Sequence, residues 1–97
     1  MNTTGWTGFT ANGQLFLKRY AFDPKATYPD FGCNTEFYTN GDMLEVETLG
    51  PLAKLPAAQS IEHVEHWFIH KVAVDESEDS IERAVVPLVK ATYRFKL

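Results

Sequence analysis

The sequence predicts a mainly β, antiparallel fold with one short C-terminal helix, on three observations. Two turn signals, Asn12-Gly13 and Asn40-Gly41-Asp42, each lie between stretches rich in aromatic and β-branched residues. A third such stretch, Ser60 to Val74, is β-rich throughout. Near the C-terminus, Ile81, Val85, Leu88 and Val89 instead recur at helical spacing.

Taken in order, strands are expected over residues 6–11 and 15–22, joined as a hairpin by Asn12-Gly13. In the second strand Phe16, Lys18, Tyr20 and Phe22 share one face, and Leu15, Leu17, Arg19 and Ala21 the other. Asp23-Pro24 and Tyr28-Pro29-Asp30 then break regular structure, because proline cannot donate to a ladder and restricts the residue before it. A second hairpin follows, with strands 33–39 and 43–49 around turn residues that tolerate positive φ. Gly50 to Gln59, with Pro51 and Pro56, reads as a connection to a strand over 60–74. That last run also has a helical reading through His63, His66 and His70, although β-branched and aromatic residues dominate it from Val64. The helix is expected over 78–90, bent or ended at Pro87, since an interior proline costs a continuous helix about 3 kcal/mol.

A chain of 97 residues and 11.0 kDa predicts a single domain, 1–97, and excludes a barrel enzyme of ordinary size or a dinucleotide-binding protein. Scaling laws allow about 65% of its surface to be buried, enough for a small core. A net charge of −4 repels phosphate backbones and anionic lipid, so neither nucleic acid nor a membrane is an expected partner. Cys33 alone forms no internal disulfide and reads as a small buried hydrophobe. With no basic or apolar leader after Met1 and no stretch of ~20 apolar residues, the expected compartment is the cytoplasm.

Three acids stand out as candidate chemistry. Period two puts Glu45 and Glu47 on one face of their strand, and Glu36 with Tyr38 on one face of theirs. Two carboxylates pointing into one cleft repel, which raises the pKa of one of them and suits it to proton transfer. The same spacing fits a solvated outer face. The run Glu62-His63-Val64-Glu65-His66-Trp67-Phe68-Ile69-His70 carries imidazoles and carboxylates, the usual zinc ligands. In a strand, however, His66 and His70 face away from His63 and Glu65, so no metal site is expected unless the segment is helical. Trp6, Trp67, Tyr20, Tyr28 and Tyr38 offer stacking surfaces for a sugar ring, or belong to the core. There is no phosphate-cradling glycine loop, Ser/His/Asp order or basic strip, and no cofactor is expected.

The segment Tyr28-Pro29-Asp30-Phe31-Gly32-Cys33-Asn34-Thr35-Glu36-Phe37-Tyr38-Thr39, followed by Leu44-Glu45-Val46-Glu47-Thr48-Leu49-Gly50-Pro51, resembles the C-terminal part of galactose-mutarotase-like, aldose-epimerase-related proteins. The resemblance extends through Leu52 to Trp67 and back over Leu15 to Tyr20, about two thirds of the chain. It implies a fragment of a large antiparallel β-sandwich that binds aldoses in an open cleft. It also implies that Glu47, in Val46-Glu47-Thr48, stands where the family keeps its general base. The family's acid is a histidine from upstream strands, whereas all three histidines here follow Glu47.

The expectation is therefore a carbohydrate-recognition module without complete catalytic machinery. Glu36, Glu45 and Glu47 would accept from sugar hydroxyls, Lys18 or Arg19 would donate, and Tyr38 or Trp67 would stack. One alternative is an aldose mutarotase in which Glu47 is the base and His66 or His70, from a second subunit, the acid. A structural or interaction module without a small ligand is the other. A fragment of a sandwich leaves an edge and an apolar face uncovered, so a homodimer is expected.

Overall fold

A computed structural model describes all residues, 1–97, and contains two small antiparallel sheets and one C-terminal helical segment. Strand β1 (Trp6–Ala11) pairs with β2 (Gln14–Tyr20), and β2 pairs with β5 (Glu65–Lys71), in the order β1-β2-β5. Strand β3 (Thr35–Thr39) and β4 (Leu44–Thr48) form the second sheet. Contacts divide the chain into two units, residues 1–5 with 21–64, and residues 6–20 with 65–97. No helix is long and apolar enough to cross a membrane.

The three-stranded unit begins at a tight hairpin, where Asn12 (φ 53°) and Gly13 (φ 73°) both adopt the left-handed conformation that a two-residue turn requires. The register then sets Leu17 opposite Gly8 on one side and Phe68 on the other. Leu15 and Leu17, alternating on one face of β2, form the core with Val85 and Val89 of the helical segment. Trp6, Phe68, Val72, Val74 and Leu88 pack around them. Gly8 is required at that spot because a Cβ would lie 3.1 Å from the Phe16 carbonyl oxygen and 3.2 Å from Leu17 Cδ2.

The fifth strand is shorter than its composition predicts. Residues 60–64 are irregular and exposed, and the strand starts at Glu65. The reason is its template: β2 ends at Tyr20, which pairs with Glu65, so residues before Glu65 have no partner in that sheet. The helical reading of His63, His66 and His70 is thereby overturned. From Glu78 the chain is helical through Arg94, and Pro87 does not end it. Instead Ile81–Val85 forms a π turn, in which the Val86 amide reaches back five residues to the Ile81 carbonyl. The widened turn accommodates a residue without an amide proton, and α-helix resumes over Val86–Ala91 before a closing 3-10 turn, Thr92–Arg94. Ser77 caps the start by accepting from the Ser80 amide, and Asp79 pairs with Arg83 one turn on.

In the other unit the β3–β4 turn is organised by Asn40, whose side-chain oxygen accepts from the amides of Asp42 at 2.8 Å and Met43 at 3.0 Å. Asn34, fully buried just before β3, is gripped by the N-terminus. Its Oδ1 accepts from the Asn2 amide at 2.7 Å, its Nδ2 donates to the Asn2 carbonyl at 2.6 Å, and its own carbonyl accepts from Leu49. Tyr28, also buried, stacks on Phe22 with ring centroids 6.0 Å apart, and its hydroxyl accepts from the Asp23 amide. Burial of these polar atoms is tolerated because each has its partners.

Candidate functional site

The register of β3 and β4 sets Glu36 directly opposite Glu47, and Tyr38 directly opposite Glu45. Directly opposed residues of an antiparallel pair project to the same side, so the four share one face. Thr35, Phe37, Val46 and Thr48 take the other. Like charges in direct opposition destabilise a hairpin, and neither turn chemistry nor strand propensity asks for carboxylates here. Glu47 and Tyr38 are exposed, while Glu36 and Glu45 are half-buried.

A fourth acid joins this face from outside the sheet. Residues Pro29–Gly32 form a single turn closed by the Cys33 amide donating to the Pro29 carbonyl at 2.8 Å. Within it Asp30 (φ 49°), Phe31 (φ 60°) and Gly32 (φ 89°) are all left-handed. For the two residues with side chains that conformation costs about 1–2 kcal/mol each. The turn brings the Asp30 carboxyl into hydrogen-bonding reach of Glu36, which holds the Glu36 carboxyl above its ordinary range. Partial desolvation and the charges of Asp30 and Glu47 push it the same way. The same turn leaves the Phe31 ring wholly in solvent. Left-handed backbone that carries an exposed aromatic and sets two acids side by side is strain of the kind that clusters at functional sites.

Chemically, the face offers carboxylates as acceptors and the half-exposed Tyr38 ring with its hydroxyl. The carboxylates were legible from strand parity. Asp30 was not, because its approach to Glu36 depends on a left-handed turn that Pro29 and Gly32 only bracket in the sequence.

Lys18, Arg19, His66, Trp67 and His70 lie in the three-stranded unit, on two faces of its sheet. Lys18 pairs across to Trp67, and Arg19 to His66. Lys18 is buried, with its ammonium 3.4 Å from Glu65 Oε1 and 5.6 Å from the centre of the Trp67 ring. Trp67 Nε1 donates to the same Glu65 oxygen at 2.9 Å, and its ring meets Phe16 edge-on at 5.5 Å. On the helix side, Arg19 donates to Thr92 Oγ1 at 3.2 Å and lies over the Tyr93 ring. His66 Nε2 is 2.7 Å from the Lys96 carbonyl; since a carbonyl only accepts, that nitrogen carries the proton. His70 shares the helix-side face with His66, whereas His63 precedes the strand and belongs to the unit of β3 and β4, where its Nε2 lies 3.4 Å from Thr48 Oγ1. Cys33 is half-buried.

Comparison with protein-family models, curated proteins and solved structures returns no match to this chain.

Proposed function

We propose that the chain is a carbohydrate-recognition module whose ligand lies on the shared face of β3 and β4. The observation that carries this reading is the direct opposition of Glu36 with Glu47 and of Tyr38 with Glu45. Sugar hydroxyls come in adjacent pairs that each need an acceptor, and carboxylates a strand apart supply acceptors at about 5 Å spacing. An aromatic ring beside them covers the apolar face of the sugar. The acidic face serves recognition without turnover in this proposal, because mutarotation also needs a group that protonates the ring oxygen as Glu47 removes the anomeric proton. The proposal includes descent from a galactose-mutarotase-like sandwich, supported by the residues from Tyr28 to Pro51 that carry the resemblance.

The test is a titration of the full chain with common aldoses up to tens of millimolar, followed by amide chemical shifts. Shifts concentrated on Glu36, Tyr38, Glu45 and Glu47 are expected. Glu45→Gln should weaken binding about tenfold or more, the worth of one charge-assisted hydrogen bond. No perturbation by any aldose would end the proposal. Faster mutarotation of fresh α-glucose, abolished in Glu47→Gln, would instead show that the face is catalytic.

A further inference from the structure

Strand β5 is an edge of its sheet, and edges are usually blunted by an internal charge, a proline or a bulge. None of these interrupts the interior of Glu65-His66-Trp67-Phe68-Ile69-His70-Lys71. Its charges stand only at the two ends, on the same face, and with opposite sign. On that face Trp67 is 65% and Ile69 74% exposed, and Lys71 is exposed as well. Set antiparallel to itself, the strand places Glu65 against Lys71, His66 against His70, Trp67 against Ile69, and Phe68 against Phe68.

The backbone agrees with that register. The Val72 amide points inward, donating to the Gly13 carbonyl at 2.9 Å. In an antiparallel ladder the direction alternates with each residue, so Lys71, Ile69 and Trp67 turn their amides and carbonyls to the open edge. These are the residues that meet in the self-paired arrangement, Trp67 with Ile69 and Lys71 with Glu65. A register displaced by one residue would oppose an outward-pointing amide with an inward-pointing one and separate the unlike charges.

We propose that β5 pairs antiparallel with β5 of a second copy about a two-fold axis at Phe68, joining the two three-stranded sheets into one. The occupant is a second copy because the strand is charge-complementary to its own inverse, which sets a lysine against Glu65 and a glutamate against Lys71 at once. Two-fold pairing of this kind uses up the edge in both chains and stops at a dimer. The Trp67 and Ile69 side chains of the two copies then cover one another on the shared face. This inference is independent of the sugar proposal, which rests on β3 and β4.

Sedimentation of the full chain between about 1 and 100 micromolar, with hydrogen exchange at both ends of that range, tests it. The expected result is a species of twice the 11.0 kDa chain mass, with the Trp67, Ile69 and Lys71 amides gaining protection as concentration rises. Ile69→Pro removes an outward amide, which an edge strand tolerates, and should leave a folded monomer. Lys71→Glu sets like charges in both end pairs and should weaken the dimer about tenfold, an effect that added salt shrinks. A monomer throughout the range overturns the proposal, as does a dimer whose newly protected amides lie on β1. Should Ile69→Pro fail to fold, an unchanged affinity in Lys71→Glu overturns it equally.

Discussion

The two faces of the three-stranded sheet make opposite demands on their apolar residues, and paired truncations measure the difference. Leu17 is 1% exposed against Val85 and Val89, so Leu17→Ala removes three buried carbon groups at ~0.8 kcal/mol each. Because the sheet and helix around it relax only in part, the cavity left behind raises the total to about 3–4 kcal/mol. Trp67 is the larger side chain, yet only about a third of its ~200 Å² is covered, worth about 1.5–2 kcal/mol. Its edge-on contact with Phe16 and the Lys18 ammonium above it add about 0.5 kcal/mol each. Leu17→Ala should therefore be the more damaging by about 1 kcal/mol, or roughly 4–8 °C in melting temperature. Urea unfolding at low micromolar chain, where self-association contributes least, reads both variants against the parent. Loss of stability in Trp67→Ala equal to or above that of Leu17→Ala would show that the outer face is core, and would refute the assignment of Trp67 to an interaction surface.

Three further outcomes follow from the same geometry. Glu36 binds its proton more tightly folded than unfolded, so its contribution favours the folded state below the ordinary glutamate value and fades as pH rises through the elevated one. Carboxyl chemical shifts should show Glu36 titrating late, and Asp30→Asn should return it toward the ordinary range. Asp75 behaves in the opposite sense: the Ser77 hydroxyl and amide donate to it and lower its pKa, so its contribution is present above the ordinary aspartate value and is lost as pH falls through the depressed one. Ser77→Ala should raise the Asp75 midpoint in the same spectra. Gly8→Ala forces a methyl toward the Phe16 carbonyl and should cost about 1–3 kcal/mol by thermal melting, despite the better strand propensity of alanine.

What the sequence made legible was local. Asn12-Gly13 and Asn40-Gly41-Asp42 announce their hairpins because the turn chemistry and the flanking alternation lie within a dozen residues. The parity that gathers Glu36, Glu45 and Glu47 follows from those turns, since a hairpin's register is fixed by its loop. What stayed hidden depends on contacts between distant segments. Asn2 and Asn34 are 32 residues apart, and nothing in either neighbourhood signals that one buried amide will grip the other's backbone. The same holds for His66 and the Lys96 carbonyl, a contact that ties up the imidazole nitrogen an acid would use. At Pro87 the disruption was legible and its form was not: a proline asks only that one amide be absent and one carbonyl give way, and a π turn meets both demands without ending the helix.

The distribution of apolar side chains ties these observations together. The helical segment covers the face of the sheet that carries Leu15 and Leu17, and one short helix has no second face with which to cover the side carrying Trp67 and Ile69. A chain selected only to fold would place polar residues there, as two-faced antiparallel sheets do. Here the outer face instead holds an exposed tryptophan and isoleucine between a glutamate and a lysine, on a strand whose backbone points the same residues to an open edge. The acidic hairpin breaks a folding rule in the other direction, setting carboxylates in opposition where neutral or paired side chains would hold the strands better. Two departures of different physical kind, in two units of the chain, argue for two separate contacts. One suits an apolar, charge-matched strand, and the other suits a ligand rich in hydroxyl donors.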